Sequence, residues 1–144
     1  MPLTNFGAIL NFAEKVEQED MNFYRQASEN PAIDSHRELL ETFLRESGKH
    51  ISLVQRTRRE NVTEMILEPI RDFVRDSYQL TVDDAGAMDR AAILAAAVEL
   101  ERRAIAYYSD AAEKIRALPE VSRALKTLAK KRSQRLDRLN RIAG

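Results

Sequence analysis

The stretch FAEKVEQEDMNFYRQA, residues 12–27, has a counterpart in AAVELERRAIAYYSDAA, residues 96–112. At an offset of 84, Glu17, Tyr24 and Ala27 fall on Glu101, Tyr108 and Ala111. In both stretches the residues that recur at three- and four-residue steps share one side of a helix. Phe6, Leu10, Ala13, Glu17, Asp20, Tyr24 and Ala27 form that stripe in the first; Ile93 or Leu94, Ala97, Glu101, Ala104, Tyr108, Ala111 and Ile115 form it in the second. Each is followed by another stripe: Leu40, Phe43, Ser47, His50 or Ile51, and Val54 trace one, and Val121, Leu125, Leu128, Arg132, Arg135 or Leu136, and Leu139 trace the other. An offset of 85 sets Leu40 on Leu125, Thr42 on Thr127, Phe43 on Leu128 and Ile51 on Leu136. A duplicated helical hairpin accounts for both offsets.

Four helices are therefore expected, near residues 4–29, 34–60, 89–117 and 120–142, with Asp34 or Ser35 capping the second. Asn30-Pro31 and Leu118-Pro119 leave only short connections, so the members of each hairpin run antiparallel. Residues 61–88 are long enough to travel back along a bundle, which would leave the second and third helices parallel. Within that segment Val62, Ile66, Ile70, Phe73 and Tyr78, interrupted at Pro69, predict short helical pieces lying over the bundle.

Composition agrees with an all-α chain forming one domain over residues 1–144. Only 4 Gly and 4 Pro occur, and 32% of residues are charged, with Ala, Leu, Glu and Arg recurring throughout. No apolar run approaches a membrane span, and the start of the chain lacks the basic region of a secretory signal, so a cytoplasmic protein without membrane contact is expected. Having no Cys, the chain has no disulfide, thiolate metal site or cysteine nucleophile. Any metal would have to be held by carboxylate and imidazole.

The two quoted stretches resemble the first and third helices of the rubrerythrin and ferritin-like di-iron carboxylate family, and the resemblance extends over essentially the whole chain. It implies a four-helix bundle with one long crossover between helices 2 and 3, and a two-metal centre. Helices 1 and 3 of that family each contribute a Glu, and helices 2 and 4 each contribute Glu-x-x-His. By position Glu17 and Glu101 match the single glutamates and His50 matches the second-helix histidine. Ser47 stands where the second helix should carry Glu, Arg132 where the fourth should carry Glu, and Arg135 where it should carry His. Three metal-ligand positions survive, and two of the replacements are guanidinium groups, which repel a cation. Glu46 could replace Ser47 only through a local over-winding of the helix.

If Asp20 also faces inward, Glu17, Asp20 and Glu101 nearly balance Arg132, Arg135 and a titratable His50. The expectation is an arginine–carboxylate cluster in place of the metals, with Tyr24 and Tyr108 as core aromatics whose hydroxyls are hydrogen-bonded. No cofactor is then required, and the role is structural, regulatory or protein-binding. The alternative is an iron-binding oxidoreductase or iron-handling protein that uses iron or another divalent metal at Glu17, His50 and Glu101. A small ligand in the bundle core is a third possibility.

Two expectations concern partners. Lys126, Lys130, Lys131, Arg132, Arg135, Arg138 and Arg141 make the last helix basic, but Glu14, Glu17, Glu19 and Asp20 on the first are expected to neutralise it. With a formal net charge of zero, nucleic-acid binding is not anticipated. Met65, Ile66, Leu67, Ile70, Phe73 and Val74 exceed what one bundle face can bury, which predicts a homodimer.

Overall fold

Periodicity of 3.6 over four long segments leaves the chain no alternative to packing helix stripe against helix stripe. The computed structural model describes residues 6–61 and 75–143. They form four long helices, α1 (Phe6–Ser28), α2 (Arg37–Glu60), α3 (Arg90–Lys114) and α4 (Pro119–Ala143), with short 3-10 helices at Pro31–His36, Arg75–Tyr78 and Ala85–Ala87. Among the described residues there is no strand, and no helix is long and apolar enough to cross a membrane. Residues 65–67, 70, 73 and 74, on which the dimer expectation rests, lie outside the described residues, as do 62, 66, 69, 70 and 73 of the expected short helical pieces.

Two helix boundaries differ from expectation for local reasons. Asn30 accepts a hydrogen bond from the Ala32 N–H, with Pro31 in the first position after it, so the chain turns earlier than an Asp34 or Ser35 cap requires. Asp34 and Ser35 sit inside that turn, and α2 begins at Arg37 with His36 before it making no side-chain cap. Asp34 instead pairs with Arg37. α3 begins where expected, with the Asp89 side chain accepting from Ala92 N–H at 2.8 Å. It ends at Lys114 rather than residue 117, because beyond Ile115 the N–H groups of Arg116 and Leu118 close three-residue turns onto the carbonyls of Glu113 and Ile115.

Side-chain contacts give the helix directions. Arg58 reaches Asn11 and Glu14 at 2.5 and 3.1 Å, and Arg37 reaches the Ser28 carbonyl at 2.7 Å, so α1 and α2 are antiparallel. Ser122 on Ala112 (2.9 Å) and Arg132 on Glu101 (2.8 Å) give the same relation for α3 and α4. Tyr107 donates to the Ile9 carbonyl at 2.6 Å and Tyr24 donates to Glu101, so α1 and α3 also run in opposite directions. Asn30 ties the first turn to the segment before α3 by donating to the carbonyls of Ala85 and Met88 at 2.9 and 2.7 Å.

The duplication is carried into the interior. Ile9 and Ile93, Leu10 and Leu94, Val16 and Leu100, Glu17 and Glu101, and Tyr24 and Tyr108 are buried pairs at the first offset; Leu40 and Leu125, Phe43 and Leu128, Ser47 and Arg132, His50 and Arg135, and Val54 and Leu139 are buried pairs at the second. Ile51 and Leu136 are only half-buried, so the inward stripes run through His50 and Arg135. The apolar core is divided. One cluster gathers around Phe12, Val16, Tyr107, Leu125 and Leu128, and the other around Phe23, Leu40, Phe43, Ile93 and Leu139. Between them, at mid-height, lies a belt of buried charge.

Candidate functional site

Helical spacing brings Glu17 and Asp20 of α1, Ser47 and His50 of α2, Glu101 and Arg103 of α3, and Arg132 and Arg135 of α4 to one level. All eight are buried. Arg132 is the hub, fully removed from solvent. Its Nε and Nη2 donate to Glu17 Oε2 at 3.1 and 3.0 Å, Nη2 donates to Asp20 Oδ2 at 2.7 Å, and Nη1 donates to both oxygens of Glu101 at 2.8 and 2.9 Å. One planar fork thus holds three carboxylates from two other helices.

Arg135, at the position matching His50, is held differently. It donates through Nη2 to the Phe43 carbonyl and Ser47 Oγ at 2.9 and 3.1 Å, and through Nε to half-exposed Glu46 at 3.2 Å. Its Nη1 lies 3.6 Å from Glu101 Oε2. The guanidinium also rests over the rings of Phe43 and Tyr24, with centroid distances of 5.1 and 5.7 Å. Ser47 therefore serves as an acceptor for Arg135, and Glu46 as a partner at the cluster's edge.

The pseudo-symmetry of the chain is visible in the remaining contacts. Tyr24 donates to Glu101 and Tyr108 donates to Glu17, a reciprocal exchange between α1 and α3. His50 Nδ1 lies 3.1 Å from Glu17 Oε1, as its counterpart Arg135 lies beside Glu101. Symmetry fails at three places. Asp20 corresponds to Ala104, Ser47 corresponds to Arg132, and Arg103 corresponds to Glu19.

Arg103 was not anticipated from the sequence. It donates to Asp20 Oδ1 at 2.5 Å and to the Tyr78 carbonyl at 3.2 Å, with Glu19 Oε1 at 3.9 Å. Its signal was its spacing: it sits between Leu100 and Tyr107 at three- and four-residue steps, on a stripe that is otherwise apolar. Counting Arg103, three carboxylates face three guanidinium groups, and balance no longer requires a charged His50. The expected neutralisation of α4 by the acids of α1 holds for Arg132 but not for the exposed cations. Glu14 pairs with Arg58 of α2 at 3.1 Å, Glu19 lies toward Arg103, and Glu17 and Asp20 are taken by the buried Arg132.

Burial and charge pull on these groups in opposite directions. Burial raises the pKa of Glu17, but the Arg132 guanidinium, then His50 and the Tyr108 hydroxyl, outweigh it and hold the carboxyl below its ordinary range. For Asp20 burial wins over Arg132 and Arg103, helped by repulsion from Glu101 and Glu17, and the pKa is pushed up to about 6. Burial and the adjacent Glu101 and Glu17 drive Tyr24 and Tyr108, respectively, well above a free phenol. Burial disfavours the Arg132 cation, yet Glu101, Glu17 and Asp20 together keep its pKa well above the usual arginine range.

The donor set does not fit a two-metal centre. Arg132 donates to all three buried carboxylates, and its cationic nitrogens are not ligands. Among the described residues no group of three or more His, Asp or Glu is disposed to hold a metal ion. Of the matched positions, Glu17 and Glu101 converge on Arg132, and His50 contacts Glu17. What the arrangement provides is a fixed register: moving one helix along another would break charge-assisted bonds at a site water does not reach.

No protein-family model matches the chain, and no curated protein or solved structure shows significant similarity to it.

Proposed function

We propose that this chain is a degenerate ferritin-like, rubrerythrin-type bundle, cytoplasmic and non-catalytic, in which an ionic cluster takes the structural place of a di-metal centre. One observation carries the reading: Arg132 binds Glu17, Asp20 and Glu101 together in the middle of the bundle. The helix directions support the topology. α1 opposes both α2 and α3, so α2 and α3 point the same way, as a one-crossover bundle requires. The belt's carboxylates are committed to guanidinium groups and its phenols to carboxylates, which opposes their use as iron ligands. Activity is thereby moved to the protein's outer surface, as a structural, regulatory or binding module.

Metal analysis of protein purified without chelator tests this directly. Sub-stoichiometric iron, manganese and zinc are expected; near-stoichiometric iron or manganese would overturn the reading in favour of an iron-dependent oxidoreductase or iron-handling protein. Self-association as a homodimer is part of the proposal, and sedimentation at micromolar concentration checks it, with a purely monomeric species as the refuting result.

A further inference from the structure

α4 carries a second charge pattern that the central cluster does not use. Arg123, Lys126, Lys130, Lys131, Arg138 and Arg141 are all exposed, and among the described residues none of them has a carboxylate at ion-pair distance. At about 100° per residue the six fall on one side of the helix, opposite the buried stripe from Val121 to Leu139. From the first to the last the row is about 27 Å long.

Lack of a carboxylate partner does not by itself set the row apart, since Lys15, Arg45, Lys49, Arg59 and Lys114 are also exposed with none at ion-pair distance among the described residues; other exposed arginines are paired locally. Arg56 pairs with Glu60 at 3.6 Å, Arg102 with Glu99 at 3.4 Å and Arg116 with Glu113 at 2.7 Å, each within its own helix or the turn after it. Nor does the row follow from the duplicated hairpin, since the matching positions of α2 hold Glu38, Glu41, Arg45, Glu46, Leu53 and Arg56. The row opens onto a groove of about 350 Å³ between α2 and α4, where Lys131, Arg135, Arg138 and Arg141 face Glu46 and Asp137. Residues 75–88 pack elsewhere, with Tyr78 against Tyr107 of α3 and Ala85 against Asn30.

We propose that this face of α4 binds the phosphate backbone of nucleic acid without reading its sequence. A neutral chain that sorts its charge in this way presents a local positive potential although its net charge is zero. Thr127, Ser133, Gln134 and Asn140 are exposed among the cations and can hydrogen-bond phosphate or sugar oxygens, and two exposed acids, Glu120 and Asp137, lie on the same face, so the six cations leave it a net surplus of four positive charges. A protein partner would call for an aromatic or large apolar anchor, and a membrane for an apolar face to insert; the exposed side of α4 offers neither. Nucleic-acid interfaces are instead polar and cationic.

Fluorescence polarisation with a labelled mixed-sequence DNA duplex of about 20 base pairs tests the proposal on the full-length protein. Micromolar binding is expected at about 50 mM salt, weakening by on the order of a hundred- to a thousandfold at about 200 mM. The variant Lys126→Glu/Lys130→Glu/Arg138→Glu should bind at least about tenfold more weakly, with a salt slope shallower by about 3. A variant carrying Gln at the same three positions serves if the charge reversal impairs folding. No binding at low salt overturns the proposal. So does unchanged affinity in the variants, an equal loss from Arg45→Glu/Lys49→Glu/Arg56→Glu on α2, or equally tight binding of poly-L-glutamate or phosphatidylserine vesicles.

Discussion

Replacing Arg132 with methionine keeps the length of the side chain and removes its charge, so it isolates what the guanidinium contributes at the centre. Five hydrogen bonds to three carboxylates disappear. Glu17 keeps His50 and Tyr108, Asp20 keeps Arg103, and Glu101 keeps Tyr24 with Arg135 at 3.6 Å. Summing the lost bonds at about 1.5–3 kcal/mol each would overstate the effect, because the wild-type arginine also carries the cost of its own desolvation. Breaking a buried pair costs about 3–5 kcal/mol, which is the expected loss here at neutral pH. In a domain of this size that is a fall in Tm on the order of 10 °C. Urea denaturation followed by far-ultraviolet circular dichroism would measure it, with exposed Lys131→Met as the control that should leave the midpoint in place. The loss should shrink toward pH 5, since stranded carboxylates can then take up protons. A loss below about 1 kcal/mol at pH 7, or one independent of pH, would refute the view that Arg132 is the counter-charge of the cluster.

Three further outcomes follow from the same geometry. Tyr24→Phe and Tyr108→Phe should each cost about 1.5–3 kcal/mol, because each leaves a buried carboxylate one donor short; equilibrium unfolding in which neither changes stability would count against the reciprocal pairs. The folded pKa of Asp20 is raised above its ordinary value, so its protonated form favours folding. Its contribution, no more than about 3 kcal/mol, is present at low pH and is lost as pH rises from about 4 to about 6; Asp20→Asn should flatten that part of the stability profile, and an unaltered profile would contradict it. Finally, Ser47→Glu/Arg132→Glu/Arg135→His should create divalent-metal binding that the parent lacks, read by calorimetry with ferrous or manganous ion, and a variant that folds yet binds no metal would show that more than side-chain identity was lost.

Periodicity and the short connections determined the four helices, their pairing into hairpins and the inward placement of Glu17, Glu101 and Arg132, because a helix converts spacing into direction. They did not decide between His50 and Ile51 or between Arg135 and Leu136, whose neighbouring angles on a helix differ by less than the width of a buried stripe. Only packing chose the ionisable member of each pair. The start of α2 was also beyond local reading, since Asn30 engages both its own turn and the distant carbonyls of Ala85 and Met88. Arg103 entered the cluster for a tertiary reason: the segment containing Tyr78 covers the α1–α3 side and turns an otherwise surface position inward. Which charges neutralise which was likewise invisible, because ion pairing depends on separations of a few ångströms between helices. Sequence specifies each helix's face, whereas the rotation and height of one helix against another are fixed by all four together.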